Sequence, residues 1–390
     1  VKSLKSCLIG LLGLSWLAES ARSADTYCHD VKATTAIFRN LCDCIAVEKR
    51  DNPIMFRGAY YMRTLVAGYE IFGERRYLDI AKAYADKLLE RQLPTGYWPA
   101  GYGAIYLADT ASAIGLFIAR DRHVDEGRRL KYLDAVRRHV TAIEADGLIN
   151  ASGGIGAGWR RLENGRTSGK STREYTVGSA LCGGEVFTWI FHKTREEKYR
   201  RVAANALRWV LGTMADDGRI PYIFEAEGTD LRRKGDPRND GLLWKRIPYD
   251  TAAYVGEGIA AFDGYCDSPD LRAEIRRKIA PHIEWLLRTQ NDNGTWGIMD
   301  SHDLKRSPLL VNFLSWYYRA VRPDRRIVRA IEKYDHYLLA PGNAKAYGLL
   351  SSGARPGAPV KGEEESNDVL TAMVGPAIAE MISPGITSRW

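Results

Sequence analysis

One pattern recurs along this chain and limits what it can fold into. A charged, amphipathic segment ends in a turn containing Asp-Gly, Asn-Gly or Thr-Gly, and an Ala- and Gly-rich segment with few charges follows. The join at residues 216–262 shows every part: Asp216-Asp217-Gly218, a basic stretch, then Tyr249-Asp250-Thr251-Ala252-Ala253 running on to Phe262. Leu93-Pro94-Thr95-Gly96-Tyr97-Trp98 leads in the same way to Tyr106-Leu107-Ala108-Asp109-Thr110-Ala111. Asn291-Asp292-Asn293-Gly294-Thr295-Trp296-Gly297 leads to the apolar run at Leu309. A unit that recurs in this way buries its apolar face against its neighbours, so the repeat is read before anything else.

Two kinds of helix alternate. The first kind is wet on one face and covers residues 31–47, 75–91, 127–145, 196–215, 269–289 and 323–339. In the fifth of these, Leu271, Ile275, Ile279, Ile283 and Leu286 fall at three- and four-residue spacing, the stripe of an amphipathic helix. The second kind is apolar nearly all round and covers residues 56–72, 105–119, 175–191, 249–262, 309–320 and 368–382. Such helices are buried, and their small residues let neighbours approach closely. Strand patterns are short and confined to loops, as at residues 220–224. The expected fold is all-α: six helical hairpins closing into a single (α/α)6 toroid, buried helices inside amphipathic ones. An open helical solenoid is the alternative.

Residues 1–24 read as a secretory signal, with Lys2 and Lys5 ahead of the apolar run Leu8 to Leu17 and small residues at Ala18 and Ser20. The rest, residues 25–390, is expected to be one catalytic domain in a secreted or periplasmic protein. No later run approaches the roughly 18 apolar residues of a membrane span. Five cysteines remain after residue 24; export would permit Cys28 to bridge to Cys42 or Cys44. Cys182 and Cys266 sit in small-residue apolar helices and read as inert core thiols. Cys42-Asp43-Cys44 is too tight for a standard metal pair and has no downstream partner pair, so neither metal nor cofactor is expected.

Amphipathic helix, Gly turn with an aromatic, then buried helix resembles the six-hairpin toroids of carbohydrate-active enzymes. Polysaccharide lyases of uronate polymers and, more distantly, unsaturated-glucuronyl hydrolases are among them. The resemblance covers nearly the whole mature chain as architecture. It implies a site in the cup formed by the loops that enter the inner helices. Toroids also host terpene cyclases, but no Asp-Asp-x-x-Asp or Asp-x-Asp-Asp cluster is present. Fold alone does not give function, so the loops carry the argument.

The links from inner to outer helix are short, as at Phe72-Gly73-Glu74, whereas those from outer to inner helix are long. Long loops gathered on one end of a scaffold point to function there. Residues 157–173 and 231–246 each carry a net charge of +4, which together equals the +8 of the whole chain. Arg160, Arg173 and Arg232 belong to these stretches, and guanidinium groups grip carboxylates in bidentate fashion. Trp159 and Trp244 interleave with the charge, flat apolar faces suited to sugar rings. An anionic polysaccharide or oligosaccharide is therefore the expected partner. Nucleic acid would want the same residue types but fits poorly with export.

Two chemistries compete. Elimination across a uronide needs the carboxylate neutralised, a base for the C5 proton and an acid for the leaving oxygen. Tyr249 and Tyr175 each follow an arginine, Arg246 and Arg173, at the entry to a buried helix, and His302 lies on a cup loop. Asn239 and Glu225 would help hold the carboxylate. This lyase reading, on a polymer such as glucuronan or alginate, comes first. The alternative is hydrolysis of unsaturated uronyl oligosaccharides. Asp109 and Asp250 both open Asp-Thr-Ala near a buried helix, which resembles the placement of catalytic aspartates in unsaturated-glucuronyl hydrolases. An Asp there would also simply cap the helix. A sugar epimerase or a non-catalytic glycan-binding toroid shares the remaining ground.

Overall fold

The computed structural model describes residues 26–48, 58–98, 114–117, 120–155, 173–221, 223–225, 241–297, 303–340 and 364–387. The predicted signal segment lies outside them. The outer layer consists of α1 (Val31–Glu48), α3 (Arg75–Glu90), α4 (Glu126–Ala145), α6 (Glu197–Gly212), α8 (Pro269–Arg288) and α10 (Arg325–Leu339). The inner layer contains α2 (Gly58–Phe72), α5, α7 (Gly241–Tyr265), α9 (Asp303–Ala320) and α11 (Glu364–Ile382). Residues 114–117 are helical and belong to the same layer. Helix α5 is composite, with Thr176–Gly178, a π-helical stretch Ser179–Phe187 and Thr188–Thr194 following one another.

Burial separates the layers as the periodicity demands. In α10 the buried residues are Ile327, Ala330, Ile331, Tyr334, Asp335, Tyr337 and Leu338, one stripe of an otherwise wet helix. In α5 every described side chain from Thr176 to Phe191 is buried. Along the inner ring α2 packs on α11, α11 on α9, α9 on α7 and α7 on α5. Because the last inner helix meets the first, the ring closes and the open solenoid is excluded. Close approach needs the small residues: a Cβ on Gly375 would sit 2.0 Å from Thr64 Oγ1, and one on Gly258 2.2 Å from the Ala180 carbonyl.

The turn grammar has a structural cause. Gly96, Gly153, Gly218 and Gly294 all adopt positive φ, and each lies against a backbone carbonyl of the next outer helix, at Arg138, Asn205, Pro281 and Lys333. Two of these turns are near-copies. Gln92 Nε2 donates to the Gly96 and Ala135 carbonyls, and Gln290 Nε2 to those of Gly294 and Ala330. Trp98 Nε1 and Trp296 Nε1 each donate, at 2.9 Å, to the carbonyl ten residues earlier, Leu88 and Leu286. At the turn after α6 an imidazole takes the glutamine's place, with His282 Nδ1 2.7 Å from the Gly218 carbonyl.

Two details differ from the sequence reading. Helix α7 begins at Gly241, two turns before Tyr249, so Trp244 and Arg246 belong to a helix rather than to the preceding loop. Cys28, Cys42, Cys44, Cys182 and Cys266 all carry free thiols. Cys42 instead points its thiol at the Thr64 carbonyl, and burial raises its pKa. Among the described residues no helix is long and apolar enough to cross a membrane.

Candidate functional site

The inner helices run in one sense, so their N-terminal ends share the end of the toroid where the outer-to-inner loops enter. Asp109, Trp159, Arg160, Arg232, Asn239 and His302 lie outside the described residues. Tyr175 is the residue before α5, and Arg246, Tyr249 and Asp250 lie in the first three turns of α7. A short antiparallel ribbon pairs β1 (Arg173–Tyr175) with β2 (Ile223–Glu225). In its register Arg173 faces Glu225 and Tyr175 faces Ile223. Two residues expected to bind one substrate carboxylate are thus cross-strand neighbours in the register of the ribbon.

Helix α7 sorts the other candidates by rotation. Its fixed point is Glu257, whose carboxylate reaches the centre of the ring. At about 100° per residue, Asp250 lies roughly 20° from the Glu257 direction and Arg246 roughly 20° to the other side. Both positions therefore fall on the axis-facing stripe, with Asp250 about 10 Å above Glu257. Tyr249 lies roughly 80° away. Its half-buried ring stacks on Trp285 of α8, with centroids 4.8 Å apart and planes at 22°. The sequence reading aimed Arg246 and Tyr249 together into the cup. Three helical residues rotate them apart by about 60°, and the Tyr249 ring is engaged with the outer layer.

Below these positions lies a layer the sequence reading passed over. Arg63 of α2 donates through Nη1 to Glu257 Oε1 at 2.5 Å and through Nη2 to Glu185 of α5. The Tyr60 hydroxyl donates to Glu257 Oε2 at 3.0 Å. Arg63, Glu185 and Glu257 are each about nine residues from the C-terminal end of their helix, so they meet at one level of the axis. They line a cavity of about 40 Å³, together with Asn312 and Trp316 of α9 and Thr387. That is room for a few waters. Burial pushes the Glu257 carboxyl up to about 7; Arg63 opposes the shift and Glu185 adds to it. One signal was in the sequence: Arg63, Glu185 and Glu257 each sit amid apolar and small residues of an inner helix, and buried charges occur where they are paired.

The floor of this cavity is a C-terminal strap. Glu380 of α11 accepts from Ser315 Oγ at 2.5 Å, Gly385 N at 2.7 Å and Thr387 N at 2.9 Å. Asn312 Nδ2 donates to Thr387 Oγ1 at 3.0 Å. Among the described residues no group of three or more His, Cys, Asp or Glu is arranged to hold a metal ion.

No protein-family model and no curated protein sequence matches the chain. Solved structures do. The unsaturated glucuronyl hydrolase of Bacillus sp. GL1 superposes with a TM-score of 0.62 at 17% identity, over 92% of this chain and 98% of that one. A possible member of glycoside hydrolase family 105 from Salmonella enterica serovar Paratyphi A gives 0.63 at 12%, over 90% and 94%. A polysaccharide lyase gives 0.60 at 12%, over 90% and 96%. The chain has the (α/α) toroid fold. That likeness spans almost the whole of each chain.

Proposed function

We propose that this protein is a glycoside hydrolase acting on acidic oligosaccharides that end in an unsaturated uronyl residue. The observation that carries it is the axis-facing stripe of α7, on which the helical positions of Arg246 and Asp250 stand above the Arg63–Glu185–Glu257 layer. The names of the similar structures lean the same way: an unsaturated glucuronyl hydrolase and a possible family 105 hydrolase stand beside a single lyase among those described above. The elimination chemistry that the sequence put first becomes the second reading, supported by that lyase and by the Arg173–Tyr175 strand.

In the proposed reaction Arg246 holds the substrate carboxylate, which fixes the C4–C5 double bond over Asp250. Protonated Asp250 gives its proton to C4, and the ring oxygen shares the positive charge left at C5. Water adds at C5 and loses a proton, regenerating the acid by way of solvent. The resulting hemiketal opens, and the remaining sugar leaves from C1. A carboxyl that stays protonated near neutrality needs a poorly hydrated or negatively charged surrounding. Asp109, at the corresponding entry of another hairpin, is the second carboxyl candidate.

The test uses two substrates and one signal. Unsaturated uronyl oligosaccharides lose their ultraviolet absorbance on hydration, so hydrolysis appears as a fall, and Asp250→Asn should slow it by 10² or more, the scale of a positioned proton donor. Intact uronate polymers gain absorbance on elimination. A rise on polymer with no change on the oligosaccharides would reject the hydrolase in favour of the lyase.

A further inference from the structure

We infer that the axial cavity is a water-binding site, in which ordered water bridges the side-chain amide of Asn312 to the carboxyl group of Glu257. One atom points to it. Asn312 Nδ2 donates to the Pro376 carbonyl at 3.1 Å and to Thr387 Oγ1 at 3.0 Å. A carbonyl oxygen only accepts, so the Pro376 contact fixes which end of the amide carries the hydrogens. Asn312 Oδ1 is the other end. It is buried, and no donor among the described residues reaches it. The Thr387 hydroxyl cannot serve, because its hydrogen goes to Glu380 Oε2 at 2.5 Å. Leaving a buried acceptor unsatisfied is costly, and such groups are ordinarily paired with protein or with ordered water.

The surroundings meet the conditions for water. Cavities that stay dry have apolar walls, whereas a roomy cavity with two to four polar partners holds water. Asn312, Thr387 and Glu257 line this one together with Arg63 and Glu185. Its volume of about 40 Å³ stands against roughly 10–15 Å³ for a single water, so it takes about three at most. Glu257 has the matching capacity. Its Oε1 accepts from Arg63 Nη1 at 2.5 Å and its Oε2 from the Tyr60 hydroxyl at 3.0 Å. Those contacts use two of the roughly four lone-pair sites of a carboxylate. A water that gives one hydrogen to Asn312 Oδ1 keeps the other for Glu257, directly or through a second water. A protonated Glu257 takes part equally, by donating to the water. The result is a hydrogen-bonded path from Glu380 through Thr387, Asn312 and water to Glu257, which ties α9 and the C-terminal strap to the axial layer. The site rests on the geometry of the axis and not on the hydrolase reading.

A crystal structure of the intact protein, refined at a resolution that orders internal water, tests this directly. It should show a water about 2.7–3.2 Å from Asn312 Oδ1, with a second polar contact to the axial layer. Ala261 of α7 is 2% exposed and lines the same cavity. Ala261→Val brings two methyl groups to that wall and should expel at least one water, while the bonds from Asn312 to Pro376 and Thr387 persist. In solution, magnetic relaxation dispersion of water counts the long-lived internal molecules. That count should fall by at least one from the wild type to Ala261→Val. A dry cavity in the wild-type crystal overturns the site, as does an Asn312 amide whose oxygen accepts from a protein donor. The wild type alone decides this even where the variant fails to fold. An unchanged count of long-lived waters, with the valine seated in the cavity, overturns it equally.

Discussion

The outer wall and the axis both bury polar groups, and they do so with opposite protonation. At the wall the turns are closed by neutral donors: Gln92, Gln290, Trp98, Trp296 and the His282 imidazole. Burial lowers the His282 pKa to about 4 and that of His139, fully buried on α4, to about 3. On the axis burial raises Glu257 to about 7. The difference teaches where repetition ends. A wall contact needs only one hydrogen bond per turn, so it can be copied around the ring. The axis is a single place where several helices meet, so its charges are not copied from hairpin to hairpin.

The two regions should therefore fail on opposite sides of the pH scale. A buried neutral histidine takes up a proton only on unfolding, so its contribution is complete above pH about 6.5 and is lost as pH falls towards 4. A buried protonated glutamate gives up its proton only on unfolding. Its contribution is complete below about 4.5 and is lost as pH rises through about 7.

The largest effect is expected from Arg63→Ala, which leaves two buried carboxylates facing each other with no cation. Removing one partner of such a network costs about 3–5 kcal/mol. Urea denaturation should show the loss at pH 8 and a smaller one at pH 5, where the acids take protons. An equal loss at both values would mean that packing, not charge, holds the layer.

Next is the wall. Gly294→Ala forces φ of +92° on a residue with a side chain and drives its Cβ to 2.3 Å from the Lys333 carbonyl. Strain of this kind costs on the order of 2–3 kcal/mol. Gly96→Ala should cost about the same if the two turns are true copies, and a twofold disparity in measured stability would break the repeat. His282→Gln sharpens the pH contrast. An amide that still donates to Gly218 but cannot titrate should flatten the acid side of the stability curve, by up to about 3 kcal/mol between pH 6.5 and 4. The neutral side should be unaffected.

The smallest effect is expected at Tyr249. Tyr249→Phe keeps the ring on Trp285, so under the hydrolase reading turnover should change by less than about threefold, against 10² or more for Asp250→Asn. A severe loss in the phenylalanine variant would return Tyr249 to the chemistry.

Much of the wall was legible in the sequence because its causes are local. A 3.6-residue period marks each amphipathic helix, and an Asp-Gly or Asn-Gly step marks a turn that needs positive φ. The six amphipathic segments were delimited to within a few residues, and so were the C-terminal ends of the described buried helices, whereas α7 and α9 begin 8 and 6 residues earlier than the pattern indicated.

What the tertiary structure alone decided is rotation and meeting. The start of α7 at Gly241 rather than near Tyr249 makes Arg246 helical, and three helical residues then turn Tyr249 away from it by about 60°. No local pattern announces this, because the stretch before Tyr249 reads as a charged loop. Arg63 finds Glu185 and Glu257 across separations of 122 and 194 residues. Each looks like a stray charge in an apolar segment until the ring closes and brings the three helices to one axis. Sequence by itself determined which segments are helices, which faces they bury and in what order they follow. Closure determined which charges must share a place without water, because desolvation and Coulomb attraction act on distances that exist only after the chain has folded.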